Sequence, residues 1–258
     1  VVENEPHPYN YFVHLFLNQV LIRKKFFKVS RNNRMYLAFD CNSWRKAFFE
    51  SVKSRYFEDY YKTKKVGDEG YKAHREKSDS VDWKKIYELV DDMICFFNNY
   101  TDIPCFKIEN TEADDIIGYL TLQCETEPIT IVSGDKDFKQ LLIRKNVKLY
   151  NGRKGMYEEV SDPETFLKHH IIMGDKGDEI PAIQNGVGEK KALKMLPIIK
   201  DLLLTDDKLK YRYEINKKLI DLSCIPSYIT DGIKNEFENV SKTFNFDGVG
   251  IMNFLGKY

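Results

Sequence analysis

M-Y-L-A-F-D, residues 35–40, is a short apolar run that stops on an aspartate. Such a run predicts a buried strand with a carboxylate at its end. The construction returns at Ile129–Val132, which leads into S-G-D-K-D. Amphipathic segments lie around and between these runs. Behind Asp82, the residues Trp83, Ile86, Leu89, Val90, Met93, Ile94 and Phe97 form one helical stripe. The short run C-F-K-I leads into N-T-E-A-D-D-I-I-G-Y-L, a second helix with Thr111 as the expected N-cap. Short strands alternating with helices imply an α/β fold with parallel strands, whose site lies at the carboxyl ends of those strands. Asp40 and Asp135 both fall at such ends.

Outward from this centre the reading is coarser. Phe12, Leu15, Phe16, Val20, Phe26 and Phe27 have roughly helical spacing. Ser43–Lys65 reads as a basic, aromatic helix and Val66–Ser80 as a polar, mobile loop. Val147–Val160 predicts a hairpin turning at N-G-R-K-G. Asp162 caps a helix that has Pro163 in its first position, and the rest of the chain reads as mostly helical.

The 258 residues are enough for a sizeable core. No apolar run is long enough for a bilayer span, and the first residues lack a signal-peptide layout. The five cysteines, Cys41, Cys95, Cys105, Cys124 and Cys224, are scattered without a C-x-x-C pair. Thiols in a reducing cytoplasm are therefore expected, not a zinc site. Forty basic and forty acidic residues cancel, but they are segregated. Ten lysines and arginines crowd Arg45–Lys77, and none stands between Lys107 and Lys136.

Four acidic stations stand out: Asp40; Glu112, Asp114 and Asp115; Asp135 and Asp137; Asp175 and Asp178. Each alone has a plain structural explanation, such as a strand end, a helix first turn or a solvated bend. Together they suggest one pocket. Two carboxylates about 4 Å apart repel by roughly 4 kcal/mol at an effective dielectric of about 20, so several in one cleft need a cation. An oxygen-only donor set selects a hard ion, Mg²⁺ or Mn²⁺. A two-ion centre suits phosphoryl chemistry without a side-chain nucleophile. The paired His169 and His170 read as a helix feature rather than ligands.

Two further stretches suit nucleic acid. Arg55 and Lys62 are seven residues apart, on one helical face, with Tyr61 among the interleaved aromatics. They suggest a phosphate clamp with stacking surfaces, although a solvated basic helix explains the stretch as well. In N-G-V-G-E-K-K-A, Gly186 and Gly188 precede a helix carrying Lys190, Lys191 and Lys194. A turn of this kind offers backbone amides to a phosphate.

The order A-F-D, Y-Y-K, T-E-A-D-D, S-G-D-K-D-F-x-Q-L, M-G-D-K-G-D-x-I-P, N-G-V-G-E-K-K-A resembles the flap endonuclease/5′–3′ exonuclease family. Details such as D-F-K-Q-L-L are most similar to the ribonuclease H of T-even-like bacteriophages. The resemblance implies a PIN-like fold, with a mainly parallel sheet flanked by helices. It implies a catalytic domain over residues 1–161 with a basic arch at about 44–80. It also implies a helical DNA-binding region over 162–258, with a helix–loop–helix at about 164–196 that often binds K⁺. The acids matching Asp40, Glu112, Asp114, Asp115, Asp135 and Asp137 would hold the main metal site, and Asp175 and Asp178 a second ion. Arg55 and Lys62 would be the cations that steer the scissile phosphate.

The implied activity is Mg²⁺-dependent removal of RNA primers and 5′ flaps in phage replication. Its substrates would be flapped DNA and RNA–DNA hybrids. The protein would be a cytoplasmic monomer with no membrane, working beside a single-strand binding protein or a sliding clamp. Family members open with a strand ending in a metal-ligating aspartate, and no matching acid is found in Val1–Arg34. Two alternatives stay open: a PIN-like ribonuclease for single-stranded RNA and, because of that missing acid, a catalytically impaired DNA-junction binder. An EF-hand is excluded because D-K-G-D-E lacks its spacing.

Overall fold

The computed structural model describes residues 7–30, 33–56, 70–72, 81–240 and 247–258. In chain order the elements are helix α1 (Pro8–Phe26), strand β1 (Leu37–Ala38), α2 (Trp44–Tyr56), α3 (Trp83–Tyr100), β2 (Cys105–Phe106) and α4 (Ala113–Gln123). Then come β3 (Ile129–Val132), β4 (Val147–Asn151), β5 (Met156–Glu158), α5 (Pro163–Met173) and α6 (Glu189–Met195). The chain continues as α7 (Ile199–Thr205), α8 (Asp207–Ile220), α9 (Ser227–Val240) and α10 (Gly248–Lys257). These elements group into two compact units. One comprises Val1–Phe39, Glu76–Ile108 and Gly232–Tyr258; the other comprises Asp40–Arg75 and Glu109–Asp231.

In the first unit β1 and β2 pair in parallel, Leu37 opposite Cys105 and Ala38 opposite Phe106. The amide of Phe39 continues the ladder to the Phe106 carbonyl at 2.8 Å. Asp82 caps α3 by accepting the Lys85 amide at 3.0 Å. The apolar stripe of that helix buries Leu89, Met93, Phe96 and Phe97. Against it pack Val13, Phe16, Leu17 and Val20 of α1 and Phe254 of α10. Burial of each large side chain of this kind stabilises by about 1.5–3 kcal/mol.

The second unit holds the other sheet. β3 runs parallel to β4, from Ile129 opposite Val147 to Val132 opposite Tyr150. β4 turns back into β5 through the expected hairpin, with Asn151 opposite Met156. Asn151 Oδ1 accepts the amides of Arg153 and Lys154, each at 3.1 Å, which closes the turn. Strand β3 is not the fully buried strand its apolar run suggests. Only Ile131 is buried and Val132 is 39% exposed, because the strand is covered on one face. Gln140 ties a 3₁₀ turn (Asp137–Ile143) to the end of α8: its Nε2 donates to the Ile220 carbonyl at 3.1 Å and its Oε1 accepts the Leu222 amide at 2.9 Å.

Helix α5 starts as its sequence requires, with Asp162 accepting the Thr165 amide and Pro163 in the first turn. It ends at Gly174, whose φ is +68°. A β-carbon there would lie 2.3 Å from the Ile180 carbonyl oxygen and 2.4 Å from that of Pro181. Only glycine fits, and the reversal it permits turns Asp175 back toward α5. All five cysteines are thiols. No helix among the described residues is long and apolar enough to cross a membrane.

Candidate active site

All eight acids singled out in the sequence lie in the second unit. Asp40 follows β1 and accepts the amide of Ala113, the first residue of α4, at 2.8 Å. Its carboxylate therefore sits at a helix N-terminus, where the macrodipole favours negative charge. Helix α4 is capped by Glu112 rather than Thr111. Glu112 and Asp115 form a reciprocal capping box, in which the Glu112 amide donates to Asp115 Oδ2 at 3.1 Å. Thr111 instead bonds the Glu109 carbonyl through its hydroxyl.

Two of these acids are held by donors from other segments. Arg45, 3% exposed, spans them: Nη1 lies 3.0 Å from Glu112 Oε2 and Nη2 lies 2.7 Å from Asp115 Oδ1. Its Nε donates to the Leu219 carbonyl at 2.8 Å. Trp44 Nε1 donates to Asp115 Oδ2 at 3.1 Å and the Tyr71 hydroxyl to Glu112 Oε2 at 3.1 Å. Lys72 pairs with Glu112 Oε1 and approaches Asp178 Oδ2 at 3.7 Å. Burial would raise the Glu112 pKa, but the Lys72 and Arg45 cations hold it below the ordinary glutamate range. For Tyr71, burial first and then the Glu112 and Asp178 charges push the phenol far up, so it stays a donor.

The other acids repel one another. The Asp114 carboxyl is pushed up to about 7, first by burial and then by the charges of Asp135, Glu112 and Asp40. Asp137 is pushed up to about 6, by burial and by Asp135 and Asp175, with His170 opposing. Asp135 is exposed, and its Oδ1 accepts the Asp137 amide at 2.9 Å. Asp175 behaves oppositely. Burial would raise its pKa, yet His170 Nε2 at 2.9 Å and Lys136 Nζ at 3.0 Å hold it well below the usual range. Asp137, His170 and Asp175 each bring one ligand-type atom within 4.8 Å of the others.

The donor set fits divalent cations. Acids from three chain segments bear on Asp114, and a bound cation would favour the ionised forms of Asp114 and Asp137, whose carboxyls are pushed up to about 7 and about 6. Asp115 has its oxygens engaged by Arg45, Trp44 and the Glu112 amide. It braces the helix start beneath Asp114.

Of the two expected cations, Arg55 alone falls among the described residues. Arg55 is exposed in the last turn of α2, and Lys62 and Tyr61 lie outside the described residues. Among the described residues, Arg45, Lys72 and Lys136 meet the acids. His170, read from sequence as a helix feature, is buried between Asp137 and Asp175. For Lys72, the available signal is the pair Tyr71-Lys72, an aromatic beside a base inside an otherwise polar stretch. Gly186 (φ +72°), Gly188, Lys190 and Lys191 are all exposed around the start of α6. Gly186, not Gly188, carries the left-handed conformation; the Gly188 backbone is extended at φ −114°.

A family model described as the 5′-3′ exonuclease N-terminal resolvase-like domain matches residues 12–170. DNA polymerase I of Bacillus caldotenax is 35% identical over 125 residues, covering 42% of this chain and 14% of the polymerase. DNA polymerase I of Pseudomonas aeruginosa is 36% identical over 104 residues, 36% of this chain and 11% of that protein. The matched stretch is thus a small part of these relatives. Among solved structures, the T5 5′-exonuclease with bound zinc has a TM-score of 0.63 at 18% identity, with 93% of this chain and 92% of that one covered. A bacteriophage T5 flap endonuclease in complex with DNA and metal ions has a TM-score of 0.61 at 16% identity, with 90% of each chain covered. At such identities the likeness is one of fold.

Proposed function

The chain belongs to the 5′-3′ exonuclease family defined by the N-terminal resolvase-like domain, and from that premise we propose that it is a Mg²⁺-dependent, structure-specific 5′-nuclease. Its fold is the PIN-like fold of the 5′-nucleases, with a helical C-terminal part. The substrates would be 5′-flapped DNA and RNA–DNA hybrids, and the role removal of primers and flaps, as in a phage ribonuclease H. The observation that carries this reading is the crowding of Asp114 by Asp135, Glu112 and Asp40, which pushes its carboxyl to about 7. An acid cluster that the protein's own cations leave partly unbalanced suits a reaction that brings in divalent ions and a phosphate.

Asp40, Glu112, Asp114 and Asp135 would hold one ion, and Asp137 and Asp178 the other, with Asp175 paired to His170 and Lys136 beside it. Bound Mg²⁺ would supply Lewis-acid activation and neutralise charge developing on the phosphodiester oxygens. The chain's own residues do the positioning. Arg45 and the capping box fix the start of α4, which orients Glu112 and Asp114. Lys72 lies against the acids, where its ammonium can turn to a phosphate oxygen. Lys190, Lys191 and the glycine turn at Gly186–Gly188 would engage the duplex backbone in residues 162–258, K⁺ assisting at the turn.

The test is Asp135→Asn, assayed on a 5′-flap, a nicked duplex and an RNA–DNA hybrid. Mg²⁺-dependent cleavage should fall by at least about a hundredfold while flap binding changes little. Unchanged turnover would remove the metal-dependent reading. Cleavage confined to unpaired RNA would favour a PIN-like single-strand ribonuclease instead.

A further inference from the structure

His170 has one ring nitrogen in use and one idle. Its side chain is 8% exposed, in the last turn of α5. Nε2 lies 2.9 Å from Asp175 Oδ2. Among the described residues Nδ1 is buried with no hydrogen-bond partner, and so is Asp137 Oδ1, a carboxylate oxygen 3.6 Å from it. That separation is too long for a hydrogen bond. It does suit a chelate: two cis ligands each about 2.0–2.2 Å from one ion lie roughly 3–3.5 Å apart.

Asp175 has no such idle atom. Its Oδ1 accepts the Gly177 amide at 2.7 Å, and its Oδ2 meets both His170 Nε2 and Lys136 Nζ, the latter at 3.0 Å. A carboxylate bound to one imidazole nitrogen fixes the tautomer and leaves the other nitrogen's lone pair for a metal. Asp175 is therefore built to orient the ring. Gly174 enforces the arrangement, because the backbone turn that brings Asp175 under His170 excludes a β-carbon.

We propose that His170 Nδ1 and the Asp137 carboxylate form a mixed nitrogen–oxygen subsite for a borderline divalent transition ion such as Mn²⁺ or Co²⁺, with Asp175 as the positioning residue. The proposal rests on the metal-dependent nuclease reading and adds a selectivity to it. Imidazole favours transition ions over Mg²⁺, whereas an all-oxygen set does not distinguish them so sharply. The chain then has two unlike positions: an oxygen-only group around Asp114 and an imidazole-containing one around His170.

The experiment is electron spin-echo spectroscopy of the full chain loaded with Mn²⁺, with Mn²⁺ and Mg²⁺ affinities measured by titration in parallel. The wild type should show nitrogen-14 modulation from a directly bound imidazole. His170→Gln places an amide where Nε2 can still reach Asp175 but removes Nδ1. It should lose the modulation and bind Mn²⁺ about tenfold or more weakly, with Mg²⁺ affinity changed by less than about threefold. His169→Gln should keep the signal. Bound Mn²⁺ without nitrogen coupling in the wild type would overturn the proposal, whatever the variants do, and would leave the nuclease reading standing. Absence of any Mn²⁺ or Mg²⁺ binding would overturn both.

Discussion

Replacing Arg45 by methionine tests the brace beneath the site. The methionine keeps most of the apolar stem and deletes the charge. Two carboxylates, Glu112 at 6% exposure and Asp115 at 0%, then lose the cation that lies 3.0 and 2.7 Å from them. The Leu219 carbonyl also loses its donor. Removing one partner of a buried ion pair costs about 3–5 kcal/mol, because the other charge stays behind unpaired. Lys72 still balances Glu112, so the larger penalty falls on Asp115. Against a total stability of about 5–15 kcal/mol this is a large loss. At about 2–4 °C per kcal/mol for a chain of this size, Tm should fall by roughly 6–20 °C. The assay is thermal unfolding by circular dichroism in chelator at neutral pH. Since the cost comes from an uncompensated charge, Arg45→Met combined with Asp115→Asn should recover part of it. A fall of under about 3 °C in the single variant, or a double variant as unstable as the two singles summed, would refute the reasoning.

The raised carboxyls of Asp114 (about 7) and Asp137 (about 6) set a pH dependence. A group whose folded pKa lies above its unfolded value contributes stability that is complete below the unfolded pKa and lost as pH rises through the folded one. The metal-free protein should therefore weaken between pH 5 and about 7.5 and Mg²⁺ should remove the slope; a urea midpoint that rises with pH in chelator would contradict this. Lys72→Met should slow cleavage by about a hundredfold, the usual cost of one transition-state donor, and change flap binding by under about threefold. Equal losses in rate and affinity would make Lys72 a simple phosphate contact. Gly188→Val should leave Tm unchanged within a few degrees, because the backbone there is extended and a β-carbon meets nothing within 4 Å. Its duplex affinity should fall, and normal affinity would show that no backbone approaches this turn.

The parts of the site that were legible in the sequence are those governed by local rules. An apolar run that ends on an acid places Asp40 after β1 and Asp135 after β3, and the strand period makes this visible. The start of α4 was legible to within one residue: T-E-A-D-D contains a good cap at Thr111, but Glu112 wins because Asp115 can return the bond. What stayed hidden depends on contacts between distant segments. Asp115 reads as one more ligand, and only folding shows Arg45, 70 residues away, filling its surroundings. His170 and Asp175 are five apart, a spacing with no meaning along a helix. They meet because Gly174 breaks the helix between them. The half-buried β1 and the half-exposed β3 show the same limit, whereas β2 is buried throughout. Apolar composition marks a strand, but how deeply it is buried is set by what covers it.

The acids fall into two groups that solve the same electrostatic problem differently. Glu112 and Asp115 are met from within, by Arg45, Lys72, Tyr71 and Trp44. Among the described residues, Asp40, Asp114, Asp135 and Asp137 have no such set of donors, and two of them answer by holding protons to about 7 and about 6. Near neutral pH that answer is half spent, because Asp114 is ionising beside the charge of Asp135. A fold kept for stability alone would replace such carboxylates by amides, which keep the hydrogen bonds without the repulsion. Carboxylates at these positions therefore fit the metal-dependent reading proposed above, in which the outer acids meet a cation from solution while Arg45 and Asp115 hold the start of α4 beneath them.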